Sequence, residues 1–230
     1  MESTDGWTPL PFSFLWRQRA DASLTFAKIP ESARPLPFLE SRRPEAKKAL
    51  ILAGENVSAR TVNGETPLFT AANRGRVDAI RSLLDARADV SARSNSGATP
   101  LFYAAVGGQV ESITSLISAG VSRKARDDEG STAIFLAAEG GHISDIKTLY
   151  QLGADLSSRD TSGSTPIFVA AAEAQVAALE TFIDVGADPL CKNFNSETPW
   201  SYAKLKHSNL KRDQVDWADL RQISGRSRRI

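Results

Sequence analysis

The stretch Gly97-Ala-Thr-Pro-Leu-Phe-Tyr-Ala-Ala105 is written again, with small changes, at a fixed interval on either side. Its Thr recurs at Thr66, Thr99, Thr132, Thr165 and Thr198, a step of 33 residues each time, and Pro follows it at Pro67, Pro100, Pro166 and Pro199. A period of this length means stacked copies of one supersecondary unit, each too small to bury its own apolar face, and not a single globular core. The chain is an array.

The unit can be built from its residue types. Thr is a favoured N-cap and Pro suits the first helical turn, where its missing N–H costs nothing, so Thr-Pro-Leu predicts a helix start. That helix runs about two turns to Gly75, Gly108 or Gly141, with Leu101, Ala104 and Ala105 on one face and small enough for a neighbour to approach closely. A second helix follows, carrying Val77, Ile80, Leu83 and Leu84, then Val110, Ile113, Leu116 and Ile117, and so on down the chain, a spacing that makes one buried stripe. Glycine ends it at Gly54, Gly120, Gly153 and Gly186, where a left-handed residue is wanted, but Arg87 stands in that column in one copy. Polar runs such as 122–130 and 157–163 supply the turn residues of a loop leading to the next Thr.

Taken together, Gly97-x-Thr-Pro-Leu-x-x-Ala-Ala-x-x-Gly108, the apolar stripe, Gly153-Ala-Asp-Leu and the period resemble the ankyrin repeat. The resemblance covers Thr61 to about Ala203, with a degenerate extension back to about Arg34. It implies an all-α solenoid of stacked helix–turn–helix–loop units with terminal capping units, whose concave side and loop tips bind another protein. One column departs from the family pattern: where ankyrin repeats usually carry His after Thr-Pro-Leu, this chain has Phe69, Phe102, Phe135 and Phe168. The family's hydrogen bond from that His cannot be made, and we expect an apolar stack under the loops instead.

The expected organisation is an aromatic-rich segment 1–33, a degenerate N-terminal cap over 34–60, repeats over 61–203, and a C-terminal cap helix with a basic tail over 204–230. Trp7, Phe12, Phe14, Trp16 and Phe26 are too many aromatics for a simple disordered tail, so the first segment should pack back on the array. The net charge of +1 gives no global attraction to nucleic acid or membrane, yet from Lys204 onward eight Lys/Arg face three Asp. The basic run at the end is either solvated or a nuclear-import signal. A single cysteine, Cys191, excludes an intramolecular disulfide and suits a reducing compartment, and no stretch approaches the roughly 20 apolar residues of a membrane span. We therefore expect an intracellular monomer, cytoplasmic or nuclear.

Enzyme signatures are missing. There is no Gly-x-Ser-x-Gly, no phosphate loop and no His-Glu-x-x-His, and two His with one Cys are too few for a metal centre, so no catalytic residue, metal or cofactor is expected. The basic column Arg60, Arg93, Arg126, Arg159 and Lys192 either clamps an acidic partner or is part of the framework. Asp127, Asp128 and Glu129 read as solvated charge at a loop tip, or as a weak cation site. The binding candidates come from the side of the first helix opposite Leu101 and Ala104: Tyr103, Leu136, Val169 and Tyr202, with Val106 beside them, form a row too apolar for plain solvent. Either that row is an interface or neighbouring loops cover it. The loop tips Asn63, Asn95, Asp128, Thr161 and Phe194 join the list, Phe194 being an unusual turn residue. The expected function is a non-enzymatic interaction module, a scaffold, inhibitor or regulatory subunit. The alternatives are a transcriptional coregulator, a direct nucleic-acid binder, for which Glu139 and Glu173 are badly placed, and an enzyme.

Overall fold

The structure, a computed structural model, describes residues 56–206, with side chains to Lys204. The expectations for 1–33, for most of the 34–60 cap and for the helix and tail beyond Lys206 lie outside the described residues. Within them the chain makes nine helices: α1 Pro67–Asn73, α2 Val77–Asp85, α3 Pro100–Val106, α4 Val110–Ser118, α5 Ala133–Glu139, α6 Ile143–Gln151, α7 Pro166–Ala172, α8 Val176–Asp184 and α9 Pro199–Lys206. These are four helix pairs and the opening of a fifth, numbered here as units one to five, each taken with the loop before it. The first helices α1, α3, α5, α7 and α9 pack on one another in order, and α2, α4, α6 and α8 do the same, so the array has two helical layers.

Small residues let the first layer close up. Ala71, Ala72, Ala104, Ala105, Ala137, Ala138 and Ala170 are buried, with Leu68, Leu101, Ile134 and Ile167 beside them. The Phe column is the largest apolar mass in the array: Phe69, Phe102, Phe135 and Phe168 are at most 1 % exposed, an apolar stack as the sequence predicts. The second layer contributes Ile80, Leu83, Ile113, Leu116, Ile146, Leu149, Leu179 and Phe182. Each second helix thus buries a stripe and leaves its other face in water.

The helix starts differ from expectation in one respect. Thr66, Thr99, Thr132 and Thr165 have the extended backbone of an N-cap, yet none of their hydroxyls caps the helix. The N–H of each Phe is already taken by the Thr carbonyl, at 3.0 Å from Phe69 and from Phe102 and at 2.9 Å from Phe135 and from Phe168. In three of the four, Pro supplies no N–H at all, so one donor at most remains for the hydroxyl. Thr99 Oγ1 is buried without a partner, and Thr165 Oγ1 lies 3.2 Å from Cys191 Sγ.

Candidate partner-binding face

Two ladders fix the loops. The Arg60 guanidinium donates from Nη1 to the Gly64 carbonyl of its own turn and to the Arg93 carbonyl of the next unit, both at 2.7 Å. Arg93 repeats this with Gly97 at 2.9 Å and Arg126 at 2.8 Å. Arg126 bridges Gly130 and Arg159, and Arg159 bridges Gly163 at 2.5 Å and Lys192 at 2.7 Å. The basic column is therefore framework: each rung ties a loop to its neighbour. A parallel ladder runs between tips, with the N–H of Asn95 donating to Asn63 O, Asp128 to Ser96 O, Thr161 to Glu129 O and Phe194 to Ser162 O, at 2.8–3.1 Å.

Within each tip one polar side chain closes the turn. Asp127 Oδ1 accepts from the N–H of Glu129 at 3.1 Å and of Ser131 at 2.8 Å, and Asp160 and Asn193 do the same work in units four and five. Asp127 is accordingly buried at 7 % exposure, and its Oδ2 is left without a hydrogen-bond partner. Burial raises its carboxyl to about 6, against the hydrogen bonds from Ser131 and Glu129. Glu129 rises further, to about 7, through burial first and then through Asp127, Asp160, Glu139 and Asp128. The acidic loop is thus half turn-cap and half crowded carboxylate. No group of three His, Cys, Asp or Glu side chains among the described residues is placed to hold a metal ion.

A family model described as ankyrin repeats in three copies matches residues 40–127 and 108–193. The chain belongs to the ankyrin-repeat family. Among curated proteins, none matches this chain. Ankyrin repeats are general protein–protein interaction modules, and the array carries their helical solenoid. Among its described residues no helix is long and apolar enough to cross a membrane.

On this ankyrin array the candidate residues separate into three groups. Tyr103 and Leu136 are 8 % and 6 % exposed. Tyr103 stands edge-on to Phe69, ring centroids 5.0 Å apart at 88°, and its hydroxyl donates to Glu65, so it fills the seam between units one and two. Val106, Val169 and Tyr202 are half-buried, with the Tyr202 ring 5.5 Å from Phe168. Asp128 and Phe194 are exposed at the tips, Phe194 at 71 %, its ring lying over Gly163. At the first tip the residue in register with them is Val62, 89 % exposed, and not Asn63.

Two features of the array were not picked out from the sequence. Burial first, and then the negative charges of Glu197, Glu173 and Asp160, raise the Tyr202 phenol above its ordinary range. The other is Asp145, 1 % exposed in α6 with Oδ2 unpartnered. Its column reads Ala79, Ser112, Asp145, Ala178, all buried, and a check of charge against column would have exposed it. Cys191 is half-buried and burial raises its thiol above the ordinary range, which keeps it protonated.

Proposed function

We propose that this ankyrin-repeat chain is a non-enzymatic interaction module, a scaffold, inhibitor or regulatory subunit, that holds another protein on Val106, Val169 and Tyr202 and on the tips at Asp128 and Phe194. The observation that carries this is Phe194. Beyond its contact over Gly163, the Phe194 ring is 71 % exposed at a turn tip, and a rigid exposed aromatic is a good anchor for a partner. Tyr103 and Leu136, first counted with this row, now act as the packed floor beneath it. The capping roles of 34–60 and 204–230 stay part of the proposal, and the start of the family match at residue 40 supports the first of them. The single cysteine supports an intracellular setting. The second reading is a nuclear version of the same role, a transcriptional coregulator, and it rests on the basic stretch from Lys204 acting as an import signal.

The test is affinity purification from the source cell with the unaltered chain and with Phe194→Asp plus Val106→Asp. Both should give the same circular dichroism and melting curve, and the partner should be lost from the variant, since an anchor of this kind is worth about 2 kcal/mol or more. A partner retained at full yield would move the site off this face.

A further inference from the structure

The loop tips share one demand of the fold. Gly64, Gly97, Gly130 and Gly163 all have positive φ, at 76°, 73°, 77° and 79°. A side chain at Gly64 would also strike the next unit, since a Cβ there would lie 2.5 Å from Asn95 Oδ1. Glycine is therefore required after tip positions 63, 96, 129 and 162. Those positions hold Asn63, Ser96, Glu129 and Ser162. Of these four tips only that of unit one sets an asparagine before its glycine, and that pairing has a chemistry of its own.

A glycine nitrogen, with no Cβ beside it, is the least hindered of backbone nucleophiles, and the preceding Asn Cγ is one five-membered ring away, so the reaction is intramolecular. Gly64 N attacks Asn63 Cγ as its proton passes to water. The N–Cγ bond forms, the Cγ–Nδ2 bond breaks and Nδ2 leaves as ammonia. Water then opens the cyclic imide at one of its two carbonyls. Opening at Cγ leaves an aspartate; opening at the main-chain carbon leaves an isoaspartate, whose chain runs through Cβ and Cγ. The sum is hydrolysis of one amide to a carboxylate and ammonia, so no oxidant or cofactor is called for.

The structure singles out Asn63. Four of the six described asparagines hold their side-chain amide in a hydrogen bond: Asn56, Asn73, Asn95 and Asn193. Among the described residues nothing bonds the amides of Asn63 and Asn195. Asn195 is followed by Ser196, whose Cβ crowds the attacking nitrogen. Val62, next to Asn63, is 89 % exposed, so this tip lies at the surface. One restraint remains. The Gly64 N–H donates to Thr61 O at 2.9 Å and Gly64 is buried against Asn95, so attack waits for the turn to open locally.

The same tip pins unit one to unit two. Asn63 O accepts from the Asn95 N–H at 2.8 Å, and the Arg60 guanidinium bridges Gly64 O and Arg93 O. In an isoaspartate the former Asn63 O belongs to a pendant carboxylate, and the turn closed by Thr61 and Glu65 is one backbone carbon longer, so both rungs lose their register. We propose that Asn63 is a site of spontaneous deamidation and isoaspartate formation, and that this change unpins the tip of unit one from unit two. Later joints stay intact, because each unit contacts only its neighbours. The chemistry needs no partner and holds whichever face takes one.

The experiment ages the full chain in mildly alkaline buffer. Isoaspartate is measured with an isoaspartate methyltransferase and a labelled methyl donor, and tandem mass spectrometry locates it. Asn63 should convert first, ahead of Asn195. Asn63→Ser, which installs the residue found at Ser96 and Ser162, should lose the early signal. Hydrogen exchange then reads the joint: the Asn95 N–H should lose its protection on ageing while those of Asp128, Thr161 and Phe194 keep theirs, and Asn63→Ser should stay protected at Asn95 throughout. A first conversion elsewhere would overturn the site, as would a folded chain that stays unconverted at Asn63 while the urea-unfolded chain converts there. Isoaspartate at Asn63 with Asn95 protection unchanged would overturn the unpinning.

Discussion

Units one and two and units three to five share a backbone and a ladder of arginines, and the first four units share a Phe column, yet their charges differ: six cations to five acids over 56–120, eight to twelve over 121–206. Positions that touch the neighbouring unit are held nearly constant, while positions that touch solvent have been free to drift toward one sign. An array of this kind separates the residues that make it stand from those that decide what it holds.

The strongest way to break the comparison is to attack the shared part. Phe135→Ala and Phe102→Ala should each cost about 3–5 kcal/mol, and by a similar amount in the two halves, since each ring is only 1 % exposed in the same column. Denaturant unfolding of the two variants measures this, and a much smaller loss at one site would mean the stack is not uniform.

The second test sharpens the difference. Asp145→Ala restores the small residue found at Ala79 and Ala178 and removes an unpartnered buried carboxylate oxygen, a cost of about 1–3 kcal/mol. Against this, Asp145 lies in the first turn of α6, where a carboxylate gains about 0.3–1 kcal/mol, and its carboxylate also takes a hydrogen bond from the Gln109 backbone. The balance favours a more stable variant at pH 8. Burial raises the Asp145 carboxyl to about 6, with His142 pulling the other way, so the folded chain takes up a proton more readily than the unfolded one. The penalty is therefore present above pH 6 and fades as pH falls through the folded value toward the ordinary 3.8. Asp127 and Glu129 follow the same sign, with folded values of about 6 and about 7. The melting temperature of the unaltered chain should rise from pH 8 to pH 5, and the advantage of Asp145→Ala should shrink over that range. A melt that drops steadily on acidification would refute this reading of the acidic units.

The smallest effect concerns the turn after α2. Arg87 has φ 61°, the left-handed conformation that Gly120, Gly153 and Gly186 adopt in the other units. Arg87→Gly should stabilise by up to about 1 kcal/mol, by relieving the strain at a small cost in chain entropy. Thermal unfolding checks it, and a lowered midpoint would show that the arginine side chain offsets its own strain.

These cases also show what could be read from residues alone. The period, the helix pair, the buried Phe column and the misfit at Arg87 all follow from repetition, because a column that touches its own copy must keep its chemistry. The arginine column was visible but ambiguous: its role depends on carbonyls 33 residues away, and a sequence shows side chains, not the backbone acceptors they reach. Helical geometry turned Tyr103 and Leu136 away from the Leu101 face, but a position facing away from one neighbour can be covered by the next unit's loop. Asp127 read as a solvated acid because turn-closing bonds within its own loop are invisible without coordinates.

The arginine rungs have a consequence for how such a chain can change its length. Every rung ends on a main-chain carbonyl, and the last described one, from Arg159, is accepted by Lys192 as readily as the others are by arginines. An acceptor present in every amino acid makes no demand on the identity of the following copy. At the ladder, a unit can therefore be duplicated, deleted or exchanged at the gene level without a compensating change in the acceptor, and only side-chain seams such as Tyr103 against Phe69 and Glu65 have to be matched. Solvent-facing positions in the inserted copy are then free to acquire a new specificity from the first generation.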